Sequence, residues 1–222
     1  MSKWIQLSYP LSEATPSYGN GRSLEIVFEK SIDKGDSCNT SVFTMPNHLG
    51  THIDAPFHFD QYGKSITDFA VDFWIINFAY LVNIEVNREN PLIDDVSIDW
   101  GIIPNNIELL LLKTGYCHQR NEPSYWERGP IISPVLADKI RDEFPEIRML
   151  GVDTISISSW KNRETGRKAH VSFLVNERPI LLLEDVNLSE VDSSIKFNKI
   201  VISPLMIQNS NGAPCTVFAE IE

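Results

Sequence analysis

The 222-residue sequence predicts an α/β domain built on a mixed or antiparallel sheet. Several short runs rich in Val, Ile, Leu and Phe have the lengths of strands, and few segments carry the start and stop signals of a long helix. Neither G-x-G-x-x-G nor G-x-x-x-x-G-K-[ST] occurs, which turns the reading away from a doubly wound nucleotide-binding fold. The length suits one domain with a substantial core, and residues 1–222 are read as that single domain.

Taken in order, the strand-like runs are 24–28, 41–45, 79–86, 107–112, 149–152, 179–183, 200–207 and 215–219. The clearest helix starts at Ser133 as N-cap, with Pro134 in the first turn where a missing N–H costs little, and runs to about Phe144 before Pro145. Gly63 and Lys64 mark a turn, after which 66–73 reads as a short helix.

Composition narrows the function. A formal charge of -11 repels a phosphate backbone, so a nucleic-acid partner is not expected. No apolar run approaches the roughly 20 residues that span a bilayer, so no membrane role is expected. The opening MSKWIQLSYPLSEATP does not read as an export signal, and the expected compartment is the cytoplasm. Cys38, Cys117 and Cys215 are widely spaced and without a C-x-x-C pair, which argues against a disulfide framework and a thiolate zinc site.

Of five histidines, His48, His52 and His58 fall close together with Asp54 in NHLGTHIDAPFHF. Imidazole nitrogen and carboxylate oxygen are the donors that zinc and related divalent ions favour. A straight strand at roughly 3.3 Å per residue would hold His48 and His52 about 13 Å apart, so shared coordination requires the chain to turn. Gly50 supplies the turn, and Pro56 disfavours helical geometry at Ala55. The motif is therefore placed on a folded loop or strand end. Further along, Glu184 closes the apolar run 180–183, where it would be a donor at a strand end.

HLGTHIDAPFH resembles, without a mismatch, the H-x-G-T-H-x-D-x-P-x-H hallmark of the cyclase and kynurenine formamidase family of metal-dependent hydrolases. AHVSFLVNERPILLLEDVNL is similar to a distal family segment, and IQLSYPLSEATPSY, LLLKTGY, GVDT and NGAP also look like family stretches. Two departures stand out: Pro-Gly-Asp is absent after the aromatic of the opening segment, and Thr216 stands where an arginine is common.

The resemblance implies a swivelling β/β/α domain with a mixed sheet, assembling as a homodimer or higher homo-oligomer. It implies a divalent metal cofactor, zinc or manganese, with two ions per chain. His48, His52 and Asp54 would hold one ion, Asp54 would bridge to a second completed by His170 and Glu184, and His58 would be the catalytic acid or base. Tyr18 would line the pocket of a small-molecule substrate. The implied reaction is amide hydrolysis, with an aryl formamide such as N-formylkynurenine as substrate. Opening of a cyclic amide or lactone of the isatin type, or metal binding without turnover, are the alternatives. His118 reads as a surface loop residue, and nothing in the spacing of Trp74, Trp100, Trp126 and Trp160 selects one for recognition.

Overall fold

Four successive leucines, Leu109 to Leu112, are all fully buried. Side chains of a strand alternate between faces, so this run requires an apolar layer on each side of its sheet. In the computed structural model, which describes residues 2–87 and 89–222, that is what is found. Leu109 and Leu111 join one core with Ile53, Leu181, Leu183, Ile202 and Val217. Leu110 and Leu112 join a second with Leu136, Ile140, Phe173 and Leu182.

In chain order the strands are β1 (Lys3–Gln6), β2 (Glu25–Lys30), β3 (Thr40–Thr44), β4 (His52–Asp54), β5 (Ile75–Ile76), β6 (Ala79–Asn83), β7 (Leu92–Ile93), β8 (Leu109–Lys113), β9 (Ile131–Ile132), β10 (Met149–Val152), β11 (Leu181–Glu184), β12 (Phe197–Pro204) and β13 (Gly212–Ile221). The α-helices are α1 (Pro123–Glu127), α2 (Val135–Glu143) and α3 (Arg163–Leu174). The main sheet runs β5-β12-β13-β4-β11-β10-β8-β6, with β1 also paired to β13. From β5 to β11 all neighbours are antiparallel, and from β11 to β6 all are parallel. Only Asn77 and Phe78 separate β5 from β6, which lie at opposite ends of this order, so the sheet curls until its ends approach.

Each strand-like run of the sequence contains a strand, with shifted ends. Run 79–86 stops pairing at Asn83, and run 215–219 is the middle of the longer β13. Helix α2 begins within two residues of Ser133, whose carbonyl, not its hydroxyl, receives Leu136 N–H at 3.2 Å. Segment 66–73 is not one helix but two 3-10 turns, Ile66–Asp68 and Val71–Trp74, interrupted by extended Phe69 and Ala70. Helix α3 is not signalled by the sequence. Gly166, its fourth residue, lowers helix propensity, and burial of Ala169, Phe173 and Leu174 overrides that weakness. The hairpin β2–β3 stands apart, with every residue of β2 exposed. No helix among the described residues is long and apolar enough to cross a membrane.

Candidate metal centre

The histidine motif turns, then becomes a strand. Gly50 takes φ 65°, a left-handed conformation that L side chains resist, and a Cβ there would meet the Leu11 side chain at 2.4 Å. Past the turn, β4 lies between β11 and β13, with His52 opposite Glu184. Strand alternation sends Ile53 into the core and puts His52 and Asp54 on the other face. Ala55 is extended ahead of Pro56, and a 3-10 turn over Pro56–His58 carries the His58 ring onto His48, with centroids 4.2 Å apart. Helix α3 brings His170, and β11 ends at Glu184.

Three of the imidazoles have one nitrogen engaged on a fixed acceptor. His52 Nδ1–H donates to Gly50 O at 2.8 Å, and His170 Nδ1–H donates to Gly166 O at 2.7 Å, one helical turn back. Asn47 Nδ2 donates both to Gly212 O and to Asn211 Oδ1, which fixes that oxygen as an acceptor facing His48 Nε2 at 3.0 Å. In its neutral form each ring therefore turns the lone pair of the remaining nitrogen toward carboxylates. His48 Nδ1 lies 2.7 Å from Asp54 Oδ1. His52 Nε2 lies 3.4 Å from Asp54 Oδ1 and 3.3 Å from Glu184 Oε2. His170 Nε2 lies 3.5 Å from Asp54 Oδ2 and 3.5 Å from Glu184 Oε1.

Acceptors facing acceptors in a buried site repel unless a cation or proton lies among them. Relative exposure is 4% for His52, 1% for Asp54, 5% for His170 and 2% for Glu184, so bulk water screens these groups only weakly. Protonation preferences record the same demand. Burial by itself would lower His52, yet Asp54 and Glu184 raise it well above the ordinary imidazole value, and His170 moves the same way. Burial would raise Asp54, but His48 and His52 hold it well below the usual carboxylate range. Burial and the charge of Asp54 both push Glu184 up, and the His170 and His52 contacts outweigh them. His58 behaves differently: burial dominates and brings it down to about 4, so its imidazole is neutral at neutral pH.

The spacing fits a divalent ion. Two donors on one tetrahedral zinc, each roughly 2.1 Å from it, lie about 3.4 Å apart. The contacts of His52 and His170 with both carboxylates match that separation. Donor atoms of His52, Asp54 and Glu184 lie within 4.8 Å of one another, as do those of His48, Asp54 and His58. All of these donors meet at Asp54: His48 and His52 both face Oδ1, while His170 faces Oδ2 together with Glu184 Oε1.

These groups form the floor of a cavity of about 590 Å³. Tyr18 lines it and bonds Ser158 Oγ at 2.9 Å, with Trp160 edge-on to its ring. Phe59 stacks on His170 at 5.0 Å. His118 is exposed, outside the cavity lining, and Trp74 is buried in the core.

Sequence reasoning missed the supports. Glu184 Oε1 receives Ile157 N–H at 2.7 Å and Ser156 O–H at 3.0 Å, from the segment following GVDT. Gly212 admits the His48 ring, since a Cβ there would meet His48 Cε1 at 2.4 Å. Asn211 and Gly212 belong to NGAP, a stretch noticed in the sequence but given no role there. Arg163 and Arg167, which also line the cavity, had no signal because α3 itself was not anticipated.

The model of the family described as "Putative cyclase" matches residues 5–159, well over half of the chain. The kynurenine formamidase of Bacillus anthracis is 29% identical, over 96% of this chain and 95% of that protein. The kynurenine formamidase of Geobacillus thermodenitrificans (strain NG80-2) is 27% identical, with the same shares covered, 96% and 95%. Among solved structures, isatin hydrolase A from Labrenzia aggregata bound to benzyl benzoate matches with TM-score 0.78 at 17% identity, covering 99% of this chain and 94% of that one. A predicted metal-dependent hydrolase from Bacillus stearothermophilus matches with TM-score 0.76 at 20% identity, covering 99% and 98%. At these identities the structural matches speak for the fold.

Proposed function

The chain belongs to the Cyclase family, and from that premise we propose a metal-dependent hydrolase that cleaves an amide C–N bond, with an aryl formamide such as N-formylkynurenine as the leading substrate. One observation carries the reading: nitrogens of three imidazoles converge on two buried carboxylates at the floor of an accessible cavity. His48, His52, Asp54, His170 and Glu184 are the residues that would hold two divalent ions, zinc or manganese. Bound there, a divalent cation supplies Lewis acidity and lowers the pKa of water towards about 7.

His58 is assigned the proton transfer. As a neutral imidazole it takes a proton from the attacking water and returns it to the departing nitrogen. Phe59, stacked on His170, covers one side of the centre with an apolar ring. The proximity of His58 to His48 and Asp54 supports a second role, as a metal ligand.

The test is removal of metal by chelation, followed by assay with zinc or manganese restored, on formamides, cyclic amides and lactones. Activity on formamides that disappears with the metal and returns with it is expected. Full activity in metal-free protein sinks the proposal, and preference for isatin-type rings or lactones moves it to the cyclic-substrate reading. Metal binding without turnover of any of them leaves a binding protein. In His58→Ala, metal retained with turnover lost supports proton transfer, whereas lost metal supports the ligand role.

A further inference from the structure

Helix α3 directs more than His170 into the cavity. Arg163, Arg167 and His170 follow one another at spacings that place them along one helical face, and all three line the same cavity. Neither guanidinium has a hydrogen-bond or salt-bridge partner among the described residues. This contrasts with the adjacent face of the helix, where Lys168 pairs with Glu164 at 2.8 Å. Like charges one turn apart on a helix disfavour each other, so the arrangement gains from an anion that meets both.

Beside the arginines stand Tyr18, which lines the cavity, and Trp160 behind it, with Ile155, Ser156 and Ser158 also in the lining. The Arg163 guanidinium lies 4.7 Å from the centroid of the Trp160 ring, and Trp160 meets Tyr18 edge-on at 5.5 Å. The acidic residues lining the cavity, Asp54 and Glu184, are both at the floor and engaged by imidazoles. The mouth thus offers two cations beside the Tyr18 ring, and the two lining carboxylates, engaged by imidazoles at the floor, are not free to receive an ammonium group. In a chain of net charge -11 this is a local reversal of sign.

We infer that Arg163 and Arg167 select the substrate's charge: the mouth takes an aryl amide bearing a carboxylate unaccompanied by an ammonium group. The inference rests on the amide-hydrolase reading and narrows it, placing an anionic aryl formamide ahead of the zwitterionic N-formylkynurenine as substrate. A planar guanidinium pair matches a carboxylate in geometry as well as charge, while the amide of the same aryl group reaches toward the floor. A zwitterionic amino-acid side chain would satisfy the arginines but leave its ammonium group without a partner.

The test compares three formamides on the zinc-loaded protein: N-formylanthranilate as the anion, N-formylkynurenine as the zwitterion and formanilide as the neutral compound. The expected order of kcat/KM is anion, zwitterion, neutral, with about tenfold between the first and last. In the R163Q/R167Q variant that ratio falls towards one, mainly through KM for the anion. Equal kcat/KM for the anion and the neutral compound, or a preference that survives in the variant, overturns the inference while leaving the amide reading standing.

A binding measurement separates the two ideas if the formamides are not turned over. Calorimetric titration of anthranilate and of its neutral isostere 2-aminobenzamide should show tighter binding of the anion to the parent, by about tenfold, and loss of that difference in R163Q/R167Q. Absence of turnover with this pattern intact removes the amide reading and keeps the charge selection. Identical anthranilate affinity in parent and variant removes the charge selection. A circular dichroism spectrum matching the parent establishes that the variant is folded.

Discussion

At the floor of the cavity, His52, Asp54, His170 and Glu184 are all buried and their orientations are set by other groups of the chain. At its mouth, Arg163, Arg167 and Trp160 are exposed, and the arginines have no partner holding them in hydrogen bonds among the described residues. The floor is therefore preorganised for a reaction, and the mouth is free to adjust to whichever molecule arrives. Buried donors cannot change without leaving an uncompensated polar group, whereas exposed ones change at little cost to folding. Chemistry and selectivity are thus assigned to regions that respond differently to substitution, pH and metal.

The largest expected effect that would break this comparison lies behind the floor. Asn211→Ala removes the acceptor for His48 Nε2–H and frees the ring to change tautomer or rotate. Metal affinity should fall about 10- to 100-fold, as for other groups that orient a ligand. Isothermal titration of zinc into parent and variant measures it, and equal affinities would mean that Asn211 does not hold the floor in place.

A pH series sharpens the comparison next. His52 and His170 titrate above the ordinary imidazole value of 6.5 in the folded chain, so their contribution to stability is complete below that pH and is lost as pH rises through their folded values. Asp54 and Glu184 are lowered, so their contribution is present above the usual carboxylate range and is lost as pH falls through their folded values. His58, lowered to about 4, works against folding increasingly as pH falls from 6.5 to about 4, where the unfolded chain takes up its proton first, and by a constant amount below that. Metal-free protein should consequently lose thermal stability as pH climbs above 6.5, and stabilisation by zinc should grow over the same interval because the ion replaces the protons. Melting curves of both forms across that range provide the check, and zinc stabilisation independent of pH would contradict the floor's description.

The smallest effect belongs to the mouth. Tyr18→Phe removes one hydrogen bond, to Ser158, at a half-buried site. A net loss of about 0.5–1.5 kcal/mol corresponds to a change of roughly two- to tenfold. It should appear in KM for the aryl formamide with kcat and zinc content little altered. A collapse of kcat would place Tyr18 in the chemistry of the floor instead.

Legibility in the sequence follows the same division. HLGTHIDAPFH could be read because its donors are local and Gly50 announces the turn that gathers them. Glu184 could be read as a candidate because the apolar run ahead of it marks a strand end. Helix α3 could not, since an early glycine and a polar majority disguise a segment whose helix is stabilised by contacts with the sheet. Arg163 and Arg167 looked like ordinary surface cations for that reason. The two turns at 66–74 misled the reading in the opposite direction, because local composition could not show that Phe69 and Ala70 are held extended.

The sequence by itself determined which residues have donor chemistry and where strands occur. Only tertiary structure decided which donors share a space. Residues far apart in the chain, such as His52 and Glu184, meet because β4 inserts antiparallel between β11 and β13, and that register is set by burial of Ile53, Leu183 and Ala213 in the core beneath them. The pairing of acceptor with acceptor is thus a consequence of apolar burial on the opposite face of the same strands, a non-local balance that single-residue properties do not contain.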